Sequence, residues 1–223
     1  MVDALSGPGS SSTQQFAATL SDALNNPAVE QILIDIDSPD GSVYGVEELA
    51  TQILSARGQK PVVAVANSLA ASAAYWIGSA ASEFYCTPGG EVGSIGVWQA
   101  HEDISDALKY EGIDVTLISA GKFKVEGNPY EPLTAEATAF LQSRVDDYYN
   151  AFVSAVARAR GVNGGEVTDG MGQGRVLGAS AARTLNMIDD IMTFDQVVAM
   201  MHSRIKPPKA TRIAQAKQAL ALM

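Results

Sequence analysis

The sequence predicts an α/β domain in which a parallel sheet is flanked by helices. Short apolar runs, such as ILIDID at 32–37 and PVVAVAN at 61–67, alternate with longer segments whose apolar residues recur at helical spacing. This alternation is typical of a sheet whose strands are buried on both faces. A chain of 223 residues that is 47% hydrophobic can bury one sizeable core. We therefore expect one domain over residues 1–203 and a distinct tail over 204–223.

Local signals indicate where the individual elements begin and end. Ser12 and Gln15 resemble a capping box, and the helix that they begin ends at Pro27. SPDG at 38–41 predicts a tight turn after the first strand, and Gly58 ends the helix that follows. The repeated strand, turn and helix unit continues with strand 61–67, a helix within 66–82, strand 83–87, a helix near 103–110, strand 114–119, a helix over about 134–160, helix and strand within 178–191, and helix 194–201.

Composition excludes several classes of function. A formal charge of -10 disfavours nucleic acid as a partner, because binding phosphates needs a basic face. Cys86 is the single cysteine and there are two histidines, so neither an internal disulfide nor a zinc site is expected, and no cofactor is implied. No apolar run approaches the roughly 20 residues of a membrane span, and MVDALSGPGSSS lacks the features of a signal peptide. We expect a cytoplasmic protein without a membrane span.

The tail at 204–223 differs from the rest of the chain. It has five basic residues and no acidic one, with Pro207 and Pro208 before a short predicted helix. Ile213, Ala216 and Leu220 form a narrow apolar stripe. The pattern fits either docking on a partner or another subunit, or a solvated end of the chain.

Ser72 lies among small apolar residues where a strand gives way to a helix. The first amide groups of a helix have no partner within it and point outward, so an oxyanion can be held there. Local pattern alone favours a serine that merely caps the helix.

Five segments in order resemble the SppA-type signal peptide peptidases, a family of serine endopeptidases with the ClpP/crotonase-like fold. They are IDSPDGSVYG, AASAAYW, GSIGV, SAGKFKVEGNPYEPLT and GRVLGASAARTLNMIDDI. The resemblance covers nearly the entire chain and identifies residues 1–203 as an SppA-like peptidase domain. It implies that Ser72 is the nucleophile, Lys124 the general base and Ser94 a hydroxyl that orients the lysine. The backbone N–H groups of Gly41 and Ala73 would then stabilise the oxyanion.

The chemistry of such a dyad sets requirements of its own. A serine hydroxyl attacks well only after a base removes its proton, and a lysine is a base only when it is neutral. An apolar pocket lowers the pKa of a lysine, and the alanines and glycines around Ser72 suit such a pocket.

Two other bases and one departure from the family pattern need attention. Lys122 and Lys124 face the same side of an extended strand, so spacing does not distinguish them, and only the resemblance selects Lys124. His101 follows Ser72 at a distance compatible with a Ser-His-Asp triad. The family turn usually reads SPGG, whereas here Asp40 replaces the first glycine. We expect the Asp40 carboxylate to point outward or to form an Asx turn.

The resemblance also implies partners. The family forms rings or domes in which neighbouring subunits complete each active site. We therefore expect a homo-oligomer in which Lys124 serves the serine of its own or of an adjacent subunit, with extended protein or peptide segments as substrate. VYGVEELA, ANSLAASAAYW, AHED and SAGKFKVEGNPYEPL are most similar to soluble members from bacteriophages and prophages, which act in capsid assembly and maturation. A phage scaffold or capsid protein is the substrate that this similarity implies. A non-catalytic assembly protein and a crotonase-type acyl-CoA enzyme are the alternatives on the same fold.

Overall fold

The structure, a computed structural model, describes residues 11–205. The helices are α1 (Thr13–Asn25), α2 (Val46–Ala56), α3 (Ala73–Ser79), α4 (Ser105–Tyr110), α5 (Ala135–Arg160), α6 (Ala179–Thr184) and α7 (Phe194–Arg204), with one turn of π-helix over Glu166–Gly170. The strands are β1 (Ile32–Ser38), β2 (Val62–Ala71), β3 (Glu83–Cys86), β4 (Glu91–Gly93), β5 (Val176–Gly178) and β6 (Asp190–Ile191). The predicted α/β class is therefore confirmed.

β2 is the central strand of a six-stranded sheet. β1 pairs with β2 in parallel from Ile32 opposite Val62 onward. β3 and β4 pair with β2 in parallel too, and β6 continues the sheet beyond β3. β5 joins β4 antiparallel and is the exception in an otherwise parallel sheet. Because parallel strands end at one edge, the residues that follow β1, β2 and β4 meet there.

Helices cover both faces of the sheet. α1, α2, α3 and α5 lie on the face with the larger core, in which Ile53, Phe84 and Phe152 are almost completely buried. α7 covers the other face through Val197 and Met201, which pack with Val63, Val65 and Tyr85 of the sheet. The first half of β2 is fully buried, as an apolar central strand between two helical layers should be.

Local capping explains most of the helix bounds. The Ser12 side chain accepts a hydrogen bond from the amide of Gln15 and begins α1, as predicted. Thr134 begins α5 in the same way, and Gly161 ends it in the left-handed conformation with φ 69°. Thr193 and Gln196 form a complete capping box at the start of α7.

Some elements differ from their sequence predictions. β2 continues to Ala71, beyond the predicted end of the strand at residue 67, and α3 begins at Ala73. The predicted strand 114–119 pairs with no strand among residues 11–205, and β4 and β5 occur where the sequence indicated only loops. Most of the tail, residues 206–223, lies outside the described residues.

Residues 97–134, which we call the arm, separate β4 from α5. None of the arm residues is buried, and α4 within it has no closely packed partner among the described helices and strands. The arm is held together internally, since the Ile104 amide donates to the Pro129 carbonyl at 2.9 Å. It exposes large apolar side chains, among them Trp98 at 77% and Ile118 at 95%.

Candidate active site

Ser72 occupies a sharp turn between the end of β2 and the first residue of α3. Its φ of 54° and ψ of -124° lie where residues other than glycine are rare and strained. The Ser72 amide donates to the Gly93 carbonyl at 2.8 Å, and the Ser72 carbonyl accepts from the Trp76 amide at 3.0 Å. The hydroxyl makes no capping bond to α3, unlike an ordinary serine cap. The backbone is thus fixed from both sides, while the hydroxyl is free of any capping role.

Ser94 lies beside Ser72 because of the register between β2 and β4. Ala71 pairs with Gly93, so the residues that follow them, Ser72 and Ser94, leave the sheet at adjacent positions. Ser94 also has a positive φ of 54°, and its amide donates to the Arg175 carbonyl at 2.9 Å. The residue before β5 therefore holds the backbone of Ser94, and sequence reasoning gave no sign of this contact.

The SPDG turn approaches the other side of Ser72. A Cβ atom placed on Gly41 would lie 3.0 Å from the Ala73 Cβ, so the turn sits directly against the start of α3. The fold thus brings Gly41 and Ala73 together beside Ser72. Ala73 is the first residue of α3, so its amide has no acceptor within the helix.

The Asp40 side chain bonds within the same turn. Its Oδ1 accepts a hydrogen bond of 2.7 Å from the Gly41 amide, while the Ser38 hydroxyl donates to the Asp40 carbonyl at 3.0 Å. The carboxylate is exposed, as expected for a group that points outward. The carboxylate nevertheless accepts a hydrogen bond from the Gly41 amide, which the family resemblance implies should stabilise the oxyanion.

A cavity of about 550 Å³ opens next to this cluster. Apolar side chains from three elements, Phe16, Ile34 and Ile77, form much of its wall, and Ala73 and the SPDG turn lie at one end. A partly apolar recess of this size is suited to hold a side chain of an extended peptide.

Lys124 lies in the arm, between β4 and α5. Its side chain is exposed and has no hydrogen bond or ion pair with any of residues 11–205. The neighbouring Lys122 contacts Glu136, so this part of the arm lies next to the first turn of α5. Tyr148, further along α5, packs against Tyr44 at the cavity.

The two alternative bases have other partners. The Lys122 ammonium lies 3.0 Å from Glu136 Oε1 and 4.4 Å from the centre of the Phe123 ring. His101 Nε2 donates to the Asn128 carbonyl at 2.8 Å, a contact within the arm. Both contacts are those of side chains that stabilise the arm.

The aromatic residues behind Ser72 belong to the core. Tyr75 is fully buried and donates to the Met187 carbonyl at 3.0 Å, and burial raises its pKa. Trp76 stacks on Phe152 with ring centres 4.6 Å apart. Burial, reinforced by Glu91, raises the pKa of Cys86 to about 11, so its thiol stays protonated near neutral pH and is a poor nucleophile.

Comparison with known proteins shows the family to which the sequence belongs. The model of peptidase family S49 matches residues 55–206, which include β2, Ser72, Ser94 and the arm. The chain belongs to peptidase family S49. The suspected SppA-type relationship is thereby confirmed, and with it the similarity to phage members.

Named relatives of this S49 chain come from phages and bacteria. Capsid assembly protease C of Escherichia phage lambda is 34% identical over 89% of this chain and 46% of its own length. Head-tail preconnector protein GP5 of Enterobacteria phage P21 is 39% identical over 69% of this chain and 30% of its own. Protease 4 of Salmonella typhi is 28% identical over 98% of this chain and 34% of its own. The S49 chain thus spans less than half the length of each of these three relatives.

Neither a metal site nor a membrane helix is found in the described part of this S49 chain. Residues 11–205 contain no group of three or more His, Cys, Asp or Glu side chains placed to hold a metal ion. No helix among them is long and apolar enough to span a membrane.

Proposed function

We propose that this chain is a serine endopeptidase in which Ser72 is the nucleophile and Lys124 the general base. The observation that carries the proposal is the position of Ser72, in a strained strand-to-helix turn beside Ser94 and next to the cavity, in a chain of peptidase family S49. A strained turn of this kind also presents the nucleophile of other serine hydrolases.

The proposed reaction is acyl transfer in two steps. Ser72 Oγ attacks the peptide carbonyl carbon while its proton passes to the neutral amine of Lys124, and the negative charge on the carbonyl oxygen is stabilised by the amides of Ala73 and Gly41. The lysine then protonates the leaving amine as the peptide C–N bond breaks. Water hydrolyses the resulting ester in the same manner and regenerates Ser72. The Ser94 hydroxyl orients the lysine amine.

Lys124 serves a neighbouring subunit in this proposal. Within one chain the lysine belongs to the exposed arm, whereas Ser72 lies at the edge of the sheet. The exposed apolar side chains of the arm, Trp98 and Ile118 among them, are suited to pack against a second copy. Such packing would surround Lys124 with apolar groups and exclude water, a setting that favours the neutral amine of a lysine base. In a homo-oligomeric ring or dome, Lys124 would meet the Ser72 of a neighbouring subunit and would lie among apolar groups.

The proposed substrates are extended segments of phage scaffold or capsid proteins, cut in the cytoplasm of a bacterium or an infected host cell. Support comes from the names of two relatives, a capsid assembly protease and a head-tail preconnector protein. The apolar cavity beside Ala73 favours small or medium apolar side chains at the cleaved position.

One observation favours a second candidate, a non-catalytic assembly protein on the same fold. The Asp40 carboxylate bonds to the Gly41 amide, which an active oxyanion hole must leave open. If this bond were permanent, the site would lack one of its two donors.

Labelling with a fluorophosphonate probe followed by mass spectrometry tests the proposal. We expect the label on Ser72 in the wild-type protein, none in Ser72→Ala, and at least a hundredfold slower labelling in Lys124→Ala, since general base catalysis contributes about 10²–10⁴-fold. Lys122→Ala is the matched control and should label at close to the wild-type rate.

The remaining variant separates the dyad from a triad. His101→Ala should label normally. Loss of labelling in His101→Ala but not in Lys124→Ala would assign the base to the histidine, and a well-folded oligomer that does not label at all would favour the assembly protein.

A further inference from the structure

The Asp40 carboxylate occupies one of the two amide groups that the proposed oxyanion hole requires. The Gly41 amide donates to Asp40 Oδ1 at 2.7 Å, the length of a charge-assisted hydrogen bond. The same turn lies against Ala73, next to the nucleophile. An oxyanion that forms beside Ser72 needs this N–H group, so it competes with the carboxylate for the same hydrogen-bond donor.

The main chain of the turn and the Asp40 carboxylate are held by separate hydrogen bonds. The Ser38 hydroxyl donates to the Asp40 carbonyl at 3.0 Å and thus fixes the main chain. The side chain is exposed, and within residues 11–205 its one hydrogen bond is that to Gly41. Rotation about the side-chain bonds of Asp40 therefore releases the amide without any change in the turn.

We infer that Asp40 masks the Gly41 amide in the substrate-free protein and that its carboxylate leaves this amide during acylation. The inference rests on the proposed function of Ser72. Asp40 acts through Gly41 and does not touch the reacting atoms, so it is a positioning residue. Because its carboxylate blocks the amide rather than the cavity, it slows the chemical step and leaves the binding of the reagent largely unchanged.

The test measures fluorophosphonate labelling of Ser72 in the full chain as a function of probe concentration. Asp40→Gly removes the competing acceptor, and we expect the rate constant at saturating probe to rise about tenfold, which corresponds to about 1.4 kcal/mol, near the lower end for a hydrogen bond to a charged group. Asp40→Asn keeps a neutral acceptor of the same shape and should show a smaller rise of about threefold. The probe concentration at half-saturation should change less than twofold in both variants.

Glu47→Gln is the matched control. Glu47 is an exposed carboxylate in the first turn of α2, shortly after the SPDG turn, and it does not line the cavity. Its replacement removes one negative charge from the segment that follows the turn but unmasks no amide, so labelling should stay within twofold of wild type. An equal rise in Glu47→Gln and Asp40→Asn would show a general effect of charge and contradict the masking of the Gly41 amide.

Each remaining outcome distinguishes this inference from the proposed function. If the wild-type protein labels at Ser72 and neither Asp40 variant labels faster, the masking is wrong and the peptidase proposal stands. If only the Asp40 variants label, the masking is complete in the wild-type protein. If no folded variant labels, both proposals fail. Asp40→Asn, which keeps the size and shape of the side chain, provides the answer should Asp40→Gly not fold.

Discussion

Gly93 is the residue on which the backbone positions of both serines depend. Its carbonyl accepts from Ser72, its φ is 123°, and a Cβ atom at this position would lie 2.8 Å from the Arg175 carbonyl oxygen. Gly93→Ala therefore introduces both strain and a backbone clash. We expect a loss of about 1–3 kcal/mol in the free energy of unfolding, measured by urea denaturation.

A nearby glycine provides the control for this prediction. A Cβ atom on Gly89 would have no neighbour within 4 Å, so Gly89→Ala should leave the stability almost unchanged. Labelling of Ser72 should slow in Gly93→Ala and not in Gly89→Ala. Equal stability of the two variants would show that the close approach at Gly93 relaxes without cost.

At the scale of elements, an ion pair joins the last turn of α7 to the first residue of β3. Arg204 contacts Glu83 at 2.6 and 3.0 Å, and the hydrogen bonds from Arg204 are the main cause that lowers the pKa of Glu83. Because the folded-state pKa lies below the unfolded value, the pair stabilises the fold above about pH 4.5 and this contribution disappears as the pH falls through the folded-state pKa.

Arg204→Gln tests the contribution of this pair. We expect a loss of about 0.5–1 kcal/mol at pH 7 because the pair is partly exposed, and a smaller loss below pH 4. Unfolding by urea at both pH values measures it. Lys109→Gln, which breaks a fully exposed pair with Asp106 in the arm, should have no effect at either pH. A loss for Arg204→Gln that does not depend on pH would mean that its packing, and not its charge, stabilises α7.

At the scale of the whole molecule, the proposed dyad requires two copies of the chain. Ser72→Ala and Lys124→Ala are each expected to be inactive alone. Mixing equal amounts should restore peptidase activity to about a quarter of the wild-type level. In a random mixture about half of the subunits keep the serine and about half of their neighbours keep the lysine, so about a quarter of the sites contain both. Cleavage of an unfolded protein, followed by electrophoresis, measures the recovery. If the subunits are shown to exchange and the activity still does not recover, both residues act within one chain.

The oligomer itself is tested by a substitution in the arm. Ile118→Glu puts a charge on a side chain that is 95% exposed in the single chain, and light scattering should then give a mass near 23.3 kDa. Phe140→Glu changes an exposed apolar side chain of α5, outside the arm and the tail, and should leave the oligomer intact. A wild-type protein that is itself monomeric at all concentrations would contradict the proposed assembly.

The sequence predicts those elements whose signals are local. Ser12 and Thr134 mark the starts of α1 and α5 because a cap involves only neighbouring residues. β4 and β5 have three residues each and depend on pairing between distant segments, so no local periodicity reveals them. The predicted strand 114–119 has the right composition but no strand beside it in the described residues, because the arm stands apart from the sheet.

The candidate site likewise has some features that the sequence indicates and others that it does not. Ser72, Ser94 and Gly41 were selected by resemblance, and the register of β2 with β4 explains why two of them are neighbours. The bond between Asp40 and Gly41 depends on a side-chain rotation, and the support of Ser94 by Arg175 depends on an antiparallel pair. Neither of these two hydrogen bonds can be recognised from the amino-acid sequence.

The exposure of the arm has a consequence for when the proposed peptidase becomes active. The proposed nucleophile and its proposed oxyanion donors come from segments before residue 95, whereas Lys124 lies in the arm, none of whose residues is buried in the single chain. Under the proposed dyad, a newly synthesised chain is therefore latent until it meets another copy. At high dilution the specific activity would fall with concentration, so proteolysis would begin only where many copies are gathered.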